Sequence, residues 1–133
     1  MKPDALASLV ALAVLRKARD EAAVARALAD KGKVAAARKT LGDQMRREAP
    51  RMGPRPAAEL LAYARFADWG GGRRKSFDSR DGDLDRAAEA ARDVLRQSFG
   101  QAEVLQRLYD QSLHRARDLR RQRAERNGQP PED

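Results

Sequence analysis

The segment from Gly82 to Arg123, GDLDRAAEAARDVLRQSFGQAEVLQRLYDQSLHRARDLRRQR, determines the fold class. Uncharged residues recur in it with alternating spacings of four and three positions, although Arg, Asp and Glu crowd the rest of the segment. We call these residues the C-terminal stripe: Leu84, Ala88, Ala91, Leu95, Ser98, Ala102, Leu105, Tyr109, Ser112, Ala116 and Leu119. A helix with this repeat presents one narrow face to a second long helix. The segment therefore predicts a long helix that needs a partner.

The N-terminal part of the chain is predicted to supply that partner helix. From about residue 4 to about residue 48 it consists mainly of Ala, Leu, Arg and Lys, which favour helix. One thin apolar stripe carries Val24, Ala27 or Leu28, Val34, Leu41 and Met45. A second stripe of mostly small residues carries Ala11, Val14, Ala18, Ala25, Leu28, Gly32 and Ala35. We expect one of these faces to pack on the C-terminal helix.

The middle of the chain is predicted to interrupt the two long helices. The residues that end the first helix are Pro50, Gly53, Pro54 and Pro56. A short helix is then expected over about 55–69, and it holds Tyr63, Phe66 and Trp69. The run Gly70-Gly71-Gly72 is expected to open a loop over 70–82, followed by the last helix over about 83–125 and a frayed tail over 127–133.

Together these elements predict an all-α fold in a single domain, 1–133. Its form is a long antiparallel two-helix coiled-coil hairpin with a short helix in the middle connection. The pattern leaves open whether the two helices pair within one chain or are exchanged between two copies. It also allows a homo-oligomeric coiled coil, because the Ala-rich stripe is able to pair between chains.

The composition favours binding over catalysis. The 133 residues carry a net charge of +8, with 36% charged and only 5% aromatic residues, so an acidic partner suits the chain. The chain has no cysteine and one histidine, His114, which excludes thiol catalysis and the usual zinc sites. No serine can be assigned a catalytic base, because the one histidine is expected on a solvated flank of a helix among arginines. We therefore expect no enzymatic activity, no cofactor, no metal and no small-molecule substrate.

Two groups of residues are candidates for partner binding at the ends of the chain. Near the N-terminus, Leu6, Leu9, Leu12 and Leu15 belong to an apolar run that wraps nearly all round the helix. This run either docks a partner or lies under another part of the chain. Near the C-terminus stand Arg115, Arg117, Arg120, Arg121 and Arg123. Such a cluster suits an acidic protein surface or phosphates, although cations also stabilise a helix C-terminus.

The aromatic residues Tyr63, Phe66 and Trp69 form a possible second contact, or else a local core. The apolar run over 5–15 is too short to span a membrane. Asp4 also does not suit a secretory leader, so a cytoplasmic location is expected.

The pattern of two long helices with a basic C-terminal end resembles the FliJ/YscO family, small coiled-coil proteins of flagellar and type III secretion export. The matching stretches are Leu9 to Leu28, LVALAVLRKARDEAAVARAL, and Arg86 to Arg123, RAAEAARDVLRQSFGQAEVLQRLYDQSLHRARDLRRQR. The resemblance lies in pattern and length over about two thirds of the chain and includes no signature motif. Family members usually continue their helices further toward the tip, whereas 50–82 is expected to break both here.

The resemblance implies a stalk whose paired termini enter the central hole of a hexameric export ATPase and promote its assembly and activity. The inserting ends would be Leu6 to Leu15 and Arg115 to Arg123. It also implies contacts with an export-gate protein and with export chaperones, and association with the membrane only through the export complex. The alternative function is a basic helical nucleic-acid-binding protein, which the net charge supports. Against it, no recognition-helix or RNA-binding motif is present.

Overall fold

The computed structural model describes residues 2–50 and 53–128. It consists of two long helices that pack against each other, α1 over Pro3–Glu48 and α2 over Ala57–Arg126. Within the described residues there is no strand. The predicted all-α class and the two long helices are confirmed.

The helix ends follow the local sequence. α1 stops two residues before Pro50, and its last turn is closed by the Ala49 amide, which donates to the Arg46 carbonyl at 3.3 Å. Pro56 directly precedes α2, where its missing amide costs nothing. α2 ends where Gly128 adopts a left-handed φ of 68°, a conformation common just after helices. The predicted tail from residue 129 onward lies outside the described residues.

The predicted break between the short middle helix and the last helix is wrong. α2 is continuous from Ala57 to Arg126, so it includes Gly70–Gly72, Gly82 and the whole of the expected loop. Each glycine costs a helix about 1 kcal/mol relative to alanine, which packing against a second helix can offset. No proline interrupts this stretch, so every backbone amide remains available for the helical hydrogen bonds.

Packing explains one of these glycines directly. Gly70 is buried, and a Cβ atom placed on it would lie 2.5 Å from the Met45 sulfur and 2.7 Å from the Met45 methyl carbon. The absence of a side chain at Gly70 therefore lets Met45 of α1 lie directly against α2. A Cβ on Gly71 or Gly72 would meet no atom within 4 Å.

We expect Gly71→Ala and Gly72→Ala each to raise the free energy of unfolding by about 1 kcal/mol, because alanine removes the cost of glycine in a helix interior. Gly70→Ala is the matched control and should gain less or lose stability, since Met45 must move. Urea denaturation of the three variants measures these differences. Equal effects at all three positions would contradict the close approach of Met45, and no gain at Gly71 and Gly72 would contradict the continuous helix.

The chain divides into two compact units, and both helices contribute to each. The terminal unit combines Met1–Ala22 with Arg92–Asp133, and the middle unit is Ala23–Ala91. In the terminal unit, α1 contributes a stripe of buried or half-buried residues spaced three and four apart: Pro3, Leu6, Val10, Ala13, Lys17 and Asp20. Facing residues of α2 include Ser98, which donates a hydrogen bond to Asp20.

The middle unit shows the same spacing. Its buried or half-buried α1 residues are Val24, Ala27, Lys31, Val34, Arg38, Leu41 and Met45. With the six of the terminal unit, these residues form what we call the N-terminal stripe. Contacts between α1 and α2 in this unit include Lys31 with Asp85, Arg38 with Asp78 at 2.7 Å, and Met45 with Gly70. Within the unit, the residue number therefore falls along α2 as it rises along α1.

The two predicted faces of α1 have different environments. The thin stripe with Val34, Leu41 and Met45 lies against α2, whereas every residue of the small-residue stripe, from Ala11 to Ala35, is exposed. In the C-terminal stripe, each position from Leu84 to Ala116 is buried or half-buried. Ala88 is the most enclosed residue of the core. Leu119, the last position of that stripe, is exposed.

Candidate functional site

The terminal unit brings the first turns of α1 beside the last turns of α2 and leaves a groove between them. The groove has a volume of about 620 Å³. Apolar side chains of Leu6, Leu108, Ala116 and Leu119 line it, and the cationic side chains of Lys2 and Arg115 also border it. One residue of each predicted binding region, Leu6 at the start of α1 and Arg115 near the end of α2, therefore lines the same groove.

The four candidate leucines of α1 do not share one environment. Leu6 is buried and lies on the N-terminal stripe, so its main role is packing against α2. Leu9 is 36% exposed, whereas Leu12 and Leu15 are 57% and 68% exposed. Leu12 and Leu15 are three residues apart, so they lie on one face of α1. Leu12 and Leu15 are therefore available to a partner, whereas Leu6 lies under another part of the chain.

All five candidate arginines of α2 are exposed: Arg115, Arg117, Arg120, Arg121 and Arg123. Among residues 2–50 and 53–128, none of these five has an ion-pair partner. The nearby carboxylate of Asp118 lies instead 3.5 Å from His114. The positive charge at this end of α2 is therefore not neutralised by the described part of the chain, and it is available to an anionic partner.

A buried polar pair lies in the same unit and was not identified from the sequence. Asp20 and Ser98 are both buried, and the Ser98 hydroxyl donates to an Asp20 carboxylate oxygen. Arg19 donates to the other oxygen at 3.1 Å. The hydrogen bond from Ser98, followed by the bond from Arg19 and the charges of Arg19 and Arg16, lowers the pKa of Asp20 despite the opposing effect of burial. The carboxylate is therefore charged at neutral pH.

One further cation is accommodated beside this pair. The Lys17 ammonium group lies 4.8 Å from the centre of the Phe99 ring, within the range of a cation–π interaction. Lys17 and Asp20 both occupy positions of the N-terminal stripe where an apolar residue would be usual. The contact face of the terminal unit is therefore polar at two positions next to each other in the repeat.

The candidate second contact lies in the middle unit. Tyr63 and Phe66 are half-buried and line a cavity of about 610 Å³ with Leu60. Trp69 stacks on Phe66, with ring centres 5.7 Å apart, and remains exposed. The three aromatic residues thus combine a local packing role with an exposed surface at Trp69.

Within residues 2–50 and 53–128, no group of three or more His, Cys, Asp or Glu side chains is placed to hold a metal ion. Neither α1 nor α2, over the residues described, has a stretch apolar and long enough to cross a membrane.

Comparisons with known proteins do not assign the chain to a family. No protein-family model matches the sequence, and no curated protein or solved structure matches it.

Proposed function

We propose that this chain is a non-enzymatic stalk component of a flagellar or type III protein export apparatus, and that its paired ends bind and activate a hexameric export ATPase. The observation that carries the proposal is the surface of the terminal unit. There the start of α1 lies beside the end of α2. Leu12 and Leu15 are exposed on α1, and the five arginines exposed on α2 have no ion-pair partner within residues 2–50 and 53–128. A cytoplasmic protein that reaches the membrane only through the export complex fits this role.

The proposal includes an antiparallel coiled coil between α1 and α2. Two observations support it. Buried and half-buried residues recur with three-four spacing on both helices, as coiled-coil contacts do. Within the middle unit, contacts pair higher residue numbers on α1 with lower numbers on α2.

Each part of the surface has a separate task in this proposal. Leu12 and Leu15 insert apolar side chains into the ATPase ring, and the five arginines meet acidic side chains around its central hole. Leu6 acts indirectly, because its burial against α2 holds the two ends together. Each exposed leucine that binding buries contributes about 1.5–3 kcal/mol to the binding free energy, before the entropy and desolvation costs of association are subtracted. Two leucines therefore make a large contribution to the affinity.

The proposal is tested by capture of the export ATPase from the same organism and by its hydrolysis rate. We expect the double variant Leu12→Asp with Leu15→Asp to lose ATPase capture and stimulation by at least about tenfold, since burial of two carboxylates replaces burial of two leucines. The fold should remain intact because both side chains are exposed.

The matched control is Val94→Asp with Val104→Asp, which places the same charges on exposed apolar positions of α2. This control should bind and stimulate the ATPase like the unchanged protein. If both double variants bind equally well, the leucine face is not the contact. If the unchanged protein neither binds nor stimulates the ATPase, the stalk function itself is wrong.

A second surface of the same protein would contact the export gate or an export chaperone. Trp69 is the residue of the middle unit that best suits such a contact, because its ring is exposed and stacks on the half-buried ring of Phe66. Aromatic residues are enriched where binding energy concentrates in protein interfaces.

The five arginines, which have no ion-pair partner in the part of the chain that the structure describes, also favour a second candidate function, binding of nucleic acid. Lys and Arg that contact phosphates release counterions, so the logarithm of the binding constant for DNA would fall linearly with the logarithm of salt concentration. A steep slope that is reduced by Arg120→Gln with Arg121→Gln would support this function. Binding that is absent at moderate salt would exclude it and leave an acidic protein as the partner of the arginines.

A further inference from the structure

We propose that the groove between the start of α1 and the end of α2 binds an acidic amphipathic helix of a partner protein. The inference rests on the proposed function in treating the terminal unit as the binding end, and it adds the chemistry of the partner's segment. The groove is the one lined by Leu6, Leu108, Ala116 and Leu119, with Lys2 and Arg115 beside them.

The first argument is the incomplete coverage of the C-terminal stripe. Every position from Leu84 to Ala116 is buried or half-buried, whereas Leu119, at the next position of the same repeat, is 55% exposed. The contact face of α2 therefore continues beyond the part that α1 covers. A helix that added its own apolar stripe there would extend an interface that already exists in the fold.

The second argument is the shape of the apolar surface. Leu108, Ala116 and Leu119 are separated by eight and three residues on α2, so they lie on one face over about three helical turns. Leu6 of α1 borders the same groove. A surface of this length between two helices suits the side chains of a third helix, which would present apolar residues with three-four spacing.

The third argument is charge. Lys2 and Arg115 border the groove, and within the described residues neither has an ion-pair partner. Arg120 and Arg123 of the following turn are likewise exposed. Glutamates that flank the apolar stripe of a bound helix would meet these cations, as charges beside the contact face do in coiled coils. A helix flanked by lysines would be repelled, so the groove selects the acidic partner.

The test uses the full chain and a fluorescent peptide of about three heptads, with leucines at the contact positions and glutamates beside them. Controls are a peptide of the same composition in scrambled order and a peptide with lysines in place of the glutamates. Fluorescence anisotropy should show that the acidic amphipathic peptide binds, that the other two bind at least about tenfold more weakly, and that added salt weakens binding.

Two variants locate the site. Leu119→Gln should weaken binding of the acidic peptide by about tenfold, because it removes a leucine that binding buries, and Val104→Gln, equally exposed on α2 but outside the groove, should not. Arg115→Glu should weaken binding of the acidic peptide and strengthen binding of the lysine-flanked one. Both replaced side chains are exposed, so the fold is preserved.

Several outcomes would overturn the inference. They are equal binding of the scrambled peptide, binding that is insensitive to Leu119→Gln, and no binding of any peptide. Sedimentation of the protein alone provides another: a dimer that Leu119→Gln dissociates would mean that a second copy fills the groove. Because no ATPase is present in these assays, failure here is distinct from failure of the proposed function.

Discussion

Replacing Leu41 with alanine is expected to lower the free energy of unfolding by about 2–5 kcal/mol, because the change removes three buried side-chain carbon atoms and leaves a cavity. Leu41 is only 5% exposed and lies on the N-terminal stripe, where α1 faces α2 in the middle unit. Few large side chains are this well buried in the described chain, so each one carries a large share of the stability.

Leu28→Ala is the matched control. Leu28 is on the same helix and in the same unit, but it is 44% exposed and lies one position outside the N-terminal stripe. Its replacement should cost less than about 1 kcal/mol. Urea denaturation followed by far-UV circular dichroism measures both variants. Equal losses at the two positions would mean that the helices do not pack on the stripe that includes Leu41.

The repeat from Leu84 to Ala116 could be predicted from the sequence because nearly all of its members are apolar or small. The N-terminal stripe could be predicted only in part, through Val24, Val34, Leu41 and Met45, because charged residues occupy four of its other positions: Lys17, Asp20, Lys31 and Arg38. A search for apolar residues omits such positions. In the structure each has a specific contact on α2, with Phe99, Ser98, Asp85 and Asp78 respectively. The sequence alone does not reveal which charges have such a contact.

The continuous α2 did leave a signal in the sequence. Counting back from Leu84 by the same three-four spacing reaches Asp81, Phe77, Arg74, Gly70, Ala67 and Tyr63. All of these except Arg74 are buried or half-buried. The low helix propensity of the glycine run predicts a loop, whereas the three-four repeat continues through the run. Intrinsic propensity is a weak guide to helix formation wherever a partner helix covers the position. At Gly70 this cover comes from the Met45 side chain of α1.

The candidate site was predictable in part. The arginines from Arg115 to Arg123 are exposed, as a basic cluster at a helix end suggests. The leucines required the structure, because an apolar run that surrounds a helix does not indicate which face is covered. Only the position of α2 separates Leu6, which is buried, from Leu15, which is exposed.

The Asp20–Ser98 pair should make the stability of the protein depend on pH on the acidic side. The pKa of Asp20 is lowered in the folded chain from its ordinary value of 3.8, first of all by the hydrogen bond from Ser98. A carboxyl whose pKa is lower when folded adds stability above its unfolded pKa and loses that contribution as the pH falls through the folded pKa. The contribution is therefore complete at neutral pH and disappears below pH 3.8.

Asp20→Asn is expected to cause the largest loss of stability at pH 7 among single carboxylate-to-amide changes in the described chain. Asp20 is 4% exposed. Its carboxylate accepts hydrogen bonds from one side chain of each helix, Ser98 on α2 and Arg19 on α1, and these bonds stabilise the charged form. An amide is still able to accept the hydrogen bond from Ser98, so the fold is retained while the charge is removed. The difference between the variant and the unchanged protein should shrink as the pH falls below 3.8.

Asp43→Asn provides the control, because Asp43 forms an ion pair with Arg46 at a much more exposed position of the same helix. Its effect should be small at every pH. Ser98→Ala should reduce the part of the acid loss of stability that Asp20 causes, since it removes the main cause of the lowered pKa while the effect of burial remains. Urea denaturation over a series of pH values distinguishes these cases. If the loss in free energy of unfolding caused by Asp20→Asn stays constant or grows as the pH falls, the Asp20 charge does not stabilise the contact between α1 and α2.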